Sequence, residues 1–251
     1  MDICMDSYRD FHQYLKQELQ AVSSEEKAAS MRRYFPNGLV CIGAISEDIN
    51  QISAEFIREH DAMLPEGYLS LAEYILERAE FHEEILISYR LIEKLVKRHF
   101  DDNLLVRFQY WLENYANNWA LVDDLCIKAI YNYLYARPHL IEKTQLWARS
   151  EVSWCRRASN VVWVKFIYRK MGKQVYRLNP ELVFSNCDLH IHDPDEFVQK
   201  SVGWLLKVTT PHHHDAVVNY IKTNIASMQK STVRYALEKV PKETRDEIMR
   251  L

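Results

Sequence analysis

Glycine and proline are scarce in this 251-residue chain, at five and seven residues. So few turn formers argue against an all-β fold of many tight hairpins, and they leave no glycine-rich loop to cradle a nucleotide phosphate. No stretch reaches about 18 uninterrupted apolar residues, the length that spanning a bilayer requires. The N-terminus opens Met1-Asp2-Ile3-Cys4-Met5-Asp6 without a basic region followed by an apolar one, so neither a membrane span nor a secretory signal is expected. The five cysteines, at 4, 41, 126, 155 and 187, are odd in number and far apart. They suggest neither a disulfide framework nor a zinc site with closely spaced ligands, and a cytoplasmic location fits them. Gly-x-Ser-x-Gly, Walker and His-Glu-x-x-His patterns are all missing, which removes support for serine hydrolase, nucleotide hydrolase and zinc protease chemistry.

What is present is an ordinary globular composition, 48% hydrophobic and 27% charged, enough to bury a sizeable core. The net charge of −3 hides an asymmetry. Residues 1–138 hold 14 Lys and Arg against 23 Asp and Glu, whereas residues 139–251 hold 18 against 12. The C-terminal half can therefore offer a basic face, although an uneven spread of solvated charge gives the same count.

Apolar residues recur at three- and four-residue spacing along most of the chain. The pattern predicts helices over 6–20, 25–34, 46–60, 69–78, 82–99, 104–115, 119–136, 138–149, 153–170 and 195–208. Further helices follow from Pro211, over 227–238 and over 242–250, and residues 173–192 are expected to hold one short helix in a less regular stretch. Asn117-Asn118 supplies a cap before Trp119, and Asp193-Pro194-Asp195-Glu196 has the acidic residues that favour a helix start. The strongly patterned helices near 82, 119, 153 and 195 begin 37, 34 and 42 residues apart, about where two-helix repeats fall. The expected fold is all-α, a curved superhelical stack of HEAT-like helix pairs forming one domain over 1–251.

Several side chains stand out within that frame. Trp119 and Asp123 are four apart, so a helix projects both from one face, where an indole can press on a sugar and a carboxylate can stabilise positive charge. On spacing alone, packing between repeats is the stronger account of that tryptophan, with Asp123 a solvated or capping acid. Arg156 and Arg157 are adjacent and point about 100° apart on a helix, so only one can face the same groove; the other sits at a rim or pairs with an acid. Gly203 interrupts a strong helix just before Trp204, which implies close approach of a neighbouring helix or of a ligand. The histidine clusters His190-Ile191-His192 and His212-His213-His214 lack the matched partners a metal site needs, so no metal or cofactor is assigned.

Taken in order, Asn118-Trp119-x-x-Val122-Asp123, Trp154-x-Arg156-Arg157-Ala158 and Gln199-Lys200-x-x-Gly203-Trp204-x-Leu206-Lys207 resemble the AlkD family of DNA alkylation repair glycosylases over about residues 30–240. The resemblance implies a HEAT-like stack whose basic concave face holds duplex DNA, with excision of positively charged N3- and N7-alkylated purines. It implies that Asp123 is the catalytic carboxylate, that Trp119 and Trp204 contact the deoxyribose, that Arg157, and with less support Arg156, contacts DNA, and that Lys200 adds phosphate attraction. A monomer acting on alkylated duplex DNA, with no cofactor and no membrane, is expected. A non-enzymatic helical scaffold for DNA or a protein partner is the alternative.

Overall fold

The computed structural model describes residues 5–251. Met1-Asp2-Ile3-Cys4, and with it the reading of the N-terminus and of one cysteine, lies outside the described residues. Helix dominates: α1 (Met5–Ala21), α2 (Glu25–Arg32), α3 (Ser46–Glu59), α4 (Pro65–Leu76), α5 (His82–Glu93), α6 (Leu104–Asn114), α7 (Trp119–Leu125), α8 (Tyr131–Tyr135), α9 (Ser153–Val161), α10 (Pro180–His190), α11 (Glu196–Thr209), α12 (His214–Asn224), α13 (Lys230–Ala236) and α14 (Lys242–Ile248). The patterned helices expected near 82, 119, 153 and 195 begin at His82, Trp119, Ser153 and Glu196. No helix among the described residues is long and apolar enough to cross a membrane.

The chain divides into two compact units. The first holds residues 1–107 with 128–133. Its core is built from Leu15 and Leu19 of α1, Ile49 and Phe56 of α3, and Leu71 and Ile75 of α4, all buried. The buried carboxylate of Glu83 accepts backbone N–H groups of Ile42 and Gly43, which ties down the loop between α2 and α3. Segment 128–133 is fastened to this unit by the Asn132 side chain, which donates to the Glu93 carbonyl, and by the Tyr133 hydroxyl, which donates to the Asp101 carbonyl.

The second unit holds residues 108–127 and 134–251. All six tryptophans belong to it, and Trp111, Trp147 and Trp163 are buried in its core with Val198, Val202, Leu205 and Val233. The charge asymmetry follows the same division. The first unit has 13 basic against 20 acidic residues, and the second 19 against 15.

Four elements depart from the sequence expectations. Helix α4, expected over 69–78, begins at Pro65, because a proline at the first helical position lacks an N–H that would have had no partner there. The helix over 82–99 stops at Glu93 and tightens into a 3-10 turn, Leu95–Lys97. Residues 138–149 adopt 3-10 turns in place of an α-helix, and the Trp163 indole N–H donates there to the Ile141 carbonyl at 3.0 Å and to Thr144 Oγ1 at 2.9 Å. The helix over 153–170 ends at Val161. Strand β1 (Tyr168–Met171) then pairs antiparallel with β2 (Gln174–Arg177), with Met171 opposite Gln174. Gly172 has φ +60°, so it opens a two-residue hairpin turn and does not cap a helix.

Candidate active site

The site is built within the second unit by α7, α9 and α11. Asn118 starts α7: its side-chain carbonyl accepts the backbone N–H groups of Ala120 and Leu121 at 3.0 and 3.1 Å, satisfying donors that a helix N-terminus leaves without partners. That cap fixes the first turn, which carries Trp119, and one turn later Asp123 leaves the same face. A π-helical turn, Cys126–Ile130, follows at once. Such turns are rare and concentrate at functional sites. Lys165 donates to the Ile127 carbonyl within this turn, at 2.8 Å.

Asp123 meets Arg157 from α9 in a two-pronged ion pair. Arg157 Nε donates to Oδ1 at 2.9 Å and Nη2 to Oδ2 at 2.8 Å, while Nη1 donates to the Phe197 carbonyl at 2.5 Å. Only 7% of the Arg157 side chain and 15% of the Asp123 side chain are exposed. One guanidinium therefore links the three helices, and Asp123 is held in a fixed orientation. Burial pushes the Asp123 carboxyl above the ordinary carboxylate range, aided slightly by Asp124; the Arg157 charge and its hydrogen bonds pull it back without cancelling the burial. The carboxylate is thus poorly solvated but orientated, which suits it to stabilise a nearby positive charge.

The adjacent arginines diverge, as helical geometry requires. Arg156 turns to Asp193, donating through Nε at 2.7 Å and Nη2 at 3.2 Å, and through Nη1 to the carbonyls of Ser150 and Glu151. Asp193 also receives the Asp195 N–H, so this pair secures the start of α11. Burial works to raise the Asp193 carboxyl, but Arg156 and the backbone N–H hold it below the usual range. Lys200 is half-exposed, 2.8 Å from Glu196 and 4.6 Å over the Phe197 ring. Trp154 lies against the same ring, with centroids 5.6 Å apart. Trp119 and Trp204 are each half-buried.

Direct contact therefore joins Asp123, Arg157 and Phe197, with Trp119 one turn from Asp123 and Lys200 on the ring of Phe197. Arg156 lies on the other side of α9, engaged with Asp193. Sequence reasoning missed Phe197 as the acceptor for Arg157, because a carbonyl partner carries no side-chain signature. It also missed the π turn, which depends on packing and not on local propensity. Within the first of the set-aside histidine clusters, His190 is structural: it is buried, with one ring nitrogen 2.9 Å from Asn160 Nδ2 and the other 3.0 Å from the Ala148 carbonyl.

The family model described as "DNA alkylation repair enzyme" matches residues 15–240. Among solved structures, the chain is similar to a predicted DNA alkylation repair enzyme from Enterococcus faecalis, with TM-score 0.74 and 18% identity over 88% of this chain and 97% of that one. It is similar to AlkD2 from Streptococcus mutans, with TM-score 0.56 and 18% identity over 86% of this chain and 98% of that one. It is also similar to the Pseudomonas fluorescens alkylpurine DNA glycosylase AlkC, a structure bound to DNA containing an abasic site analogue, with TM-score 0.55 and 17% identity over 95% of this chain and 65% of that one. These likenesses show a shared helical fold. No curated protein matches the chain.

Proposed function

The chain belongs to the DNA alkylation repair enzyme family, and from that premise we propose that it is a DNA glycosylase releasing cationic N3- and N7-alkylated purines from duplex DNA. The observation that carries this reading is the Asp123 carboxylate, held by Arg157 in a fixed orientation one turn from the Trp119 indole. On this reading the 251-residue chain works as one monomeric repair domain, in the cytoplasm and without a cofactor.

The chemistry needs little more than those groups. Alkylation at N3 or N7 gives the purine a positive charge, so the glycosidic bond breaks with its electron pair leaving on the base, which becomes neutral. The deoxyribose acquires oxocarbenium character, and Asp123 stabilises it electrostatically. A water then adds to the sugar carbon and loses its proton to solvent. Trp119 and Trp204 supply apolar faces for the deoxyribose. Arg157 acts as the positioning residue for Asp123, its guanidinium engaged by that carboxylate and by the Phe197 carbonyl. Lys200 can exchange its exposed partner Glu196 for phosphate at small cost, since surface pairs contribute about 0–1 kcal/mol.

The test is release of 7-methylguanine or 3-methyladenine from alkylated duplex DNA by the wild type and by Asp123→Asn. Release by the wild type, with loss of at least a hundredfold in the variant, supports both the activity and the role. Full activity in the variant removes the role, and no release by the wild type removes the enzyme reading. The second reading, a DNA-binding scaffold without catalysis, is favoured by the mutual neutralisation of Asp123 and Arg157. It predicts salt-sensitive duplex binding with no base release.

A further inference from the structure

Gly203 has a specific reason to be glycine, and it leads to a side chain that the site as described does not contain. A Cβ at 203 would lie 2.9 Å from the Thr232 carbonyl oxygen and 3.3 Å from both Cβ and Cδ1 of Tyr235. Its φ is not in the left-handed region, so the requirement is space and not backbone conformation. A glycine within a helix costs about 1 kcal/mol relative to alanine. What it allows here is packing of α13 directly on the α11 backbone, at the residue before Trp204.

Tyr235 is the side chain this packing brings in. Its ring lies against Gly203 on one side, and the Lys207 ammonium is 4.5 Å from the ring centroid. Lys207 is in turn paired with Glu238. The ring thus packs on α11, the helix whose Phe197 carbonyl accepts from Arg157 and whose Trp204 follows Gly203 directly. It is half-buried, and its hydroxyl makes no hydrogen bond to another described residue. A ring fixed on α11 by a glycine contact and a cation, with its hydroxyl bonded to no described residue, is an orientated donor without a protein acceptor.

We propose that Tyr235 is a further substrate-contacting residue, whose hydroxyl donates to a phosphodiester oxygen of the DNA strand beside the nucleotide at Asp123. This inference rests on the glycosylase reading of the Asp123 site. A phosphodiester oxygen is the fitting acceptor: it is anionic, and it accepts from a neutral hydroxyl without the desolvation cost of bringing in another cation. Gly203 and Lys207 act through Tyr235 as positioning residues.

Tyr235→Phe keeps the ring, its contact with Gly203 and its stacking under Lys207, and removes only the hydroxyl. In the full-length chain, affinity for a duplex containing a tetrahydrofuran abasic analogue is expected to fall about tenfold, as for loss of one hydrogen bond to a charged acceptor. The melting temperature should stay within about 1 °C, and the single-turnover release rate at saturating enzyme should change less than the affinity. Gly203→Ala should weaken binding as well but with a lower melting temperature, since α13 must shift. Wild-type affinity in Tyr235→Phe overturns the proposal and leaves the glycosylase reading intact. Absence of base release by the wild type overturns that reading, and the binding comparison then still decides the contact. Absence of any duplex binding by the wild type overturns both.

Discussion

Replacing Arg157 by methionine keeps most of the apolar length of the side chain and removes the charge that faces Asp123. The carboxylate, only 15% exposed, is then left without its partner. Breaking a buried ion pair from one side costs about 3–5 kcal/mol. The stranded carboxylate has an escape, however, because it can take up a proton. From an ordinary value of 3.8, each pH unit of protonation costs about 1.4 kcal/mol, so the loss is capped at roughly 4 kcal/mol at pH 7 and roughly 1.6 kcal/mol at pH 5. Arg157→Met should therefore destabilise strongly at pH 7 and much less at pH 5. Asp123→Asn strands the other partner at a cost of about 2–4 kcal/mol, and because a guanidinium cannot release its proton in this range, the variant itself should show no pH dependence from this site. The double variant should cost less than the two single costs added, by about 2–3 kcal/mol. Urea unfolding followed by tryptophan fluorescence is the assay, since all six tryptophans lie in the unit that holds the pair. A loss below 1 kcal/mol for Arg157→Met, or one equal at pH 5 and pH 7, refutes a buried and mutually dependent pair.

Other consequences are open to direct measurement. Base release should rise with pH along an acid limb centred above the ordinary carboxylate value, because burial raises Asp123, and Arg157→Met should move that limb higher; a limb at the ordinary value contradicts Asp123 as the group that must ionise. The same raised value means that the stability Asp123 contributes is fully present below the unfolded-state pKa and is lost as pH rises through the folded one, a trend that urea titrations of Asp123→Asn should lack. Arg156→Met should lower unfolding free energy by about 3 kcal/mol through loss of the Asp193 pair, whereas Lys200→Ala should change it by less than about 0.5 kcal/mol yet reduce the salt dependence of duplex binding by close to one phosphate contact. Asn118→Ala should cost about 1 kcal/mol and loosen the turn bearing Trp119, detectable as faster amide exchange at Ala120 and Leu121.

The fold class was legible because amphipathic periodicity is local. The stripe Ile49, Ile52, Phe56 in α3 can be read without knowing what covers it, and Asn118 and Asp195 announce the helix starts that they cap. The β1–β2 hairpin was not legible, because its strands are four residues each and Gly172, following an apolar run, reads as the stop of a helix over 153–170. The π turn after Asp123 and the 3-10 turns under Trp163 answer to partners distant in sequence, so no window of local residues specifies them.

For the site, sequence alone determined which residue types are present and which share a face: Trp119 with Asp123 by their four-residue spacing, and the divergence of Arg156 from Arg157 by the 100° step of the helix. It also marked Gly203 as anomalous. Tertiary structure alone decided the partners. It gave Arg157 to Asp123 and the Phe197 carbonyl, Arg156 to Asp193, and the space at Gly203 to Tyr235. The physical reason is range. Helical periodicity acts over three or four residues, whereas the partners of these side chains lie 32 to 40 residues along the chain, where only packing brings them together.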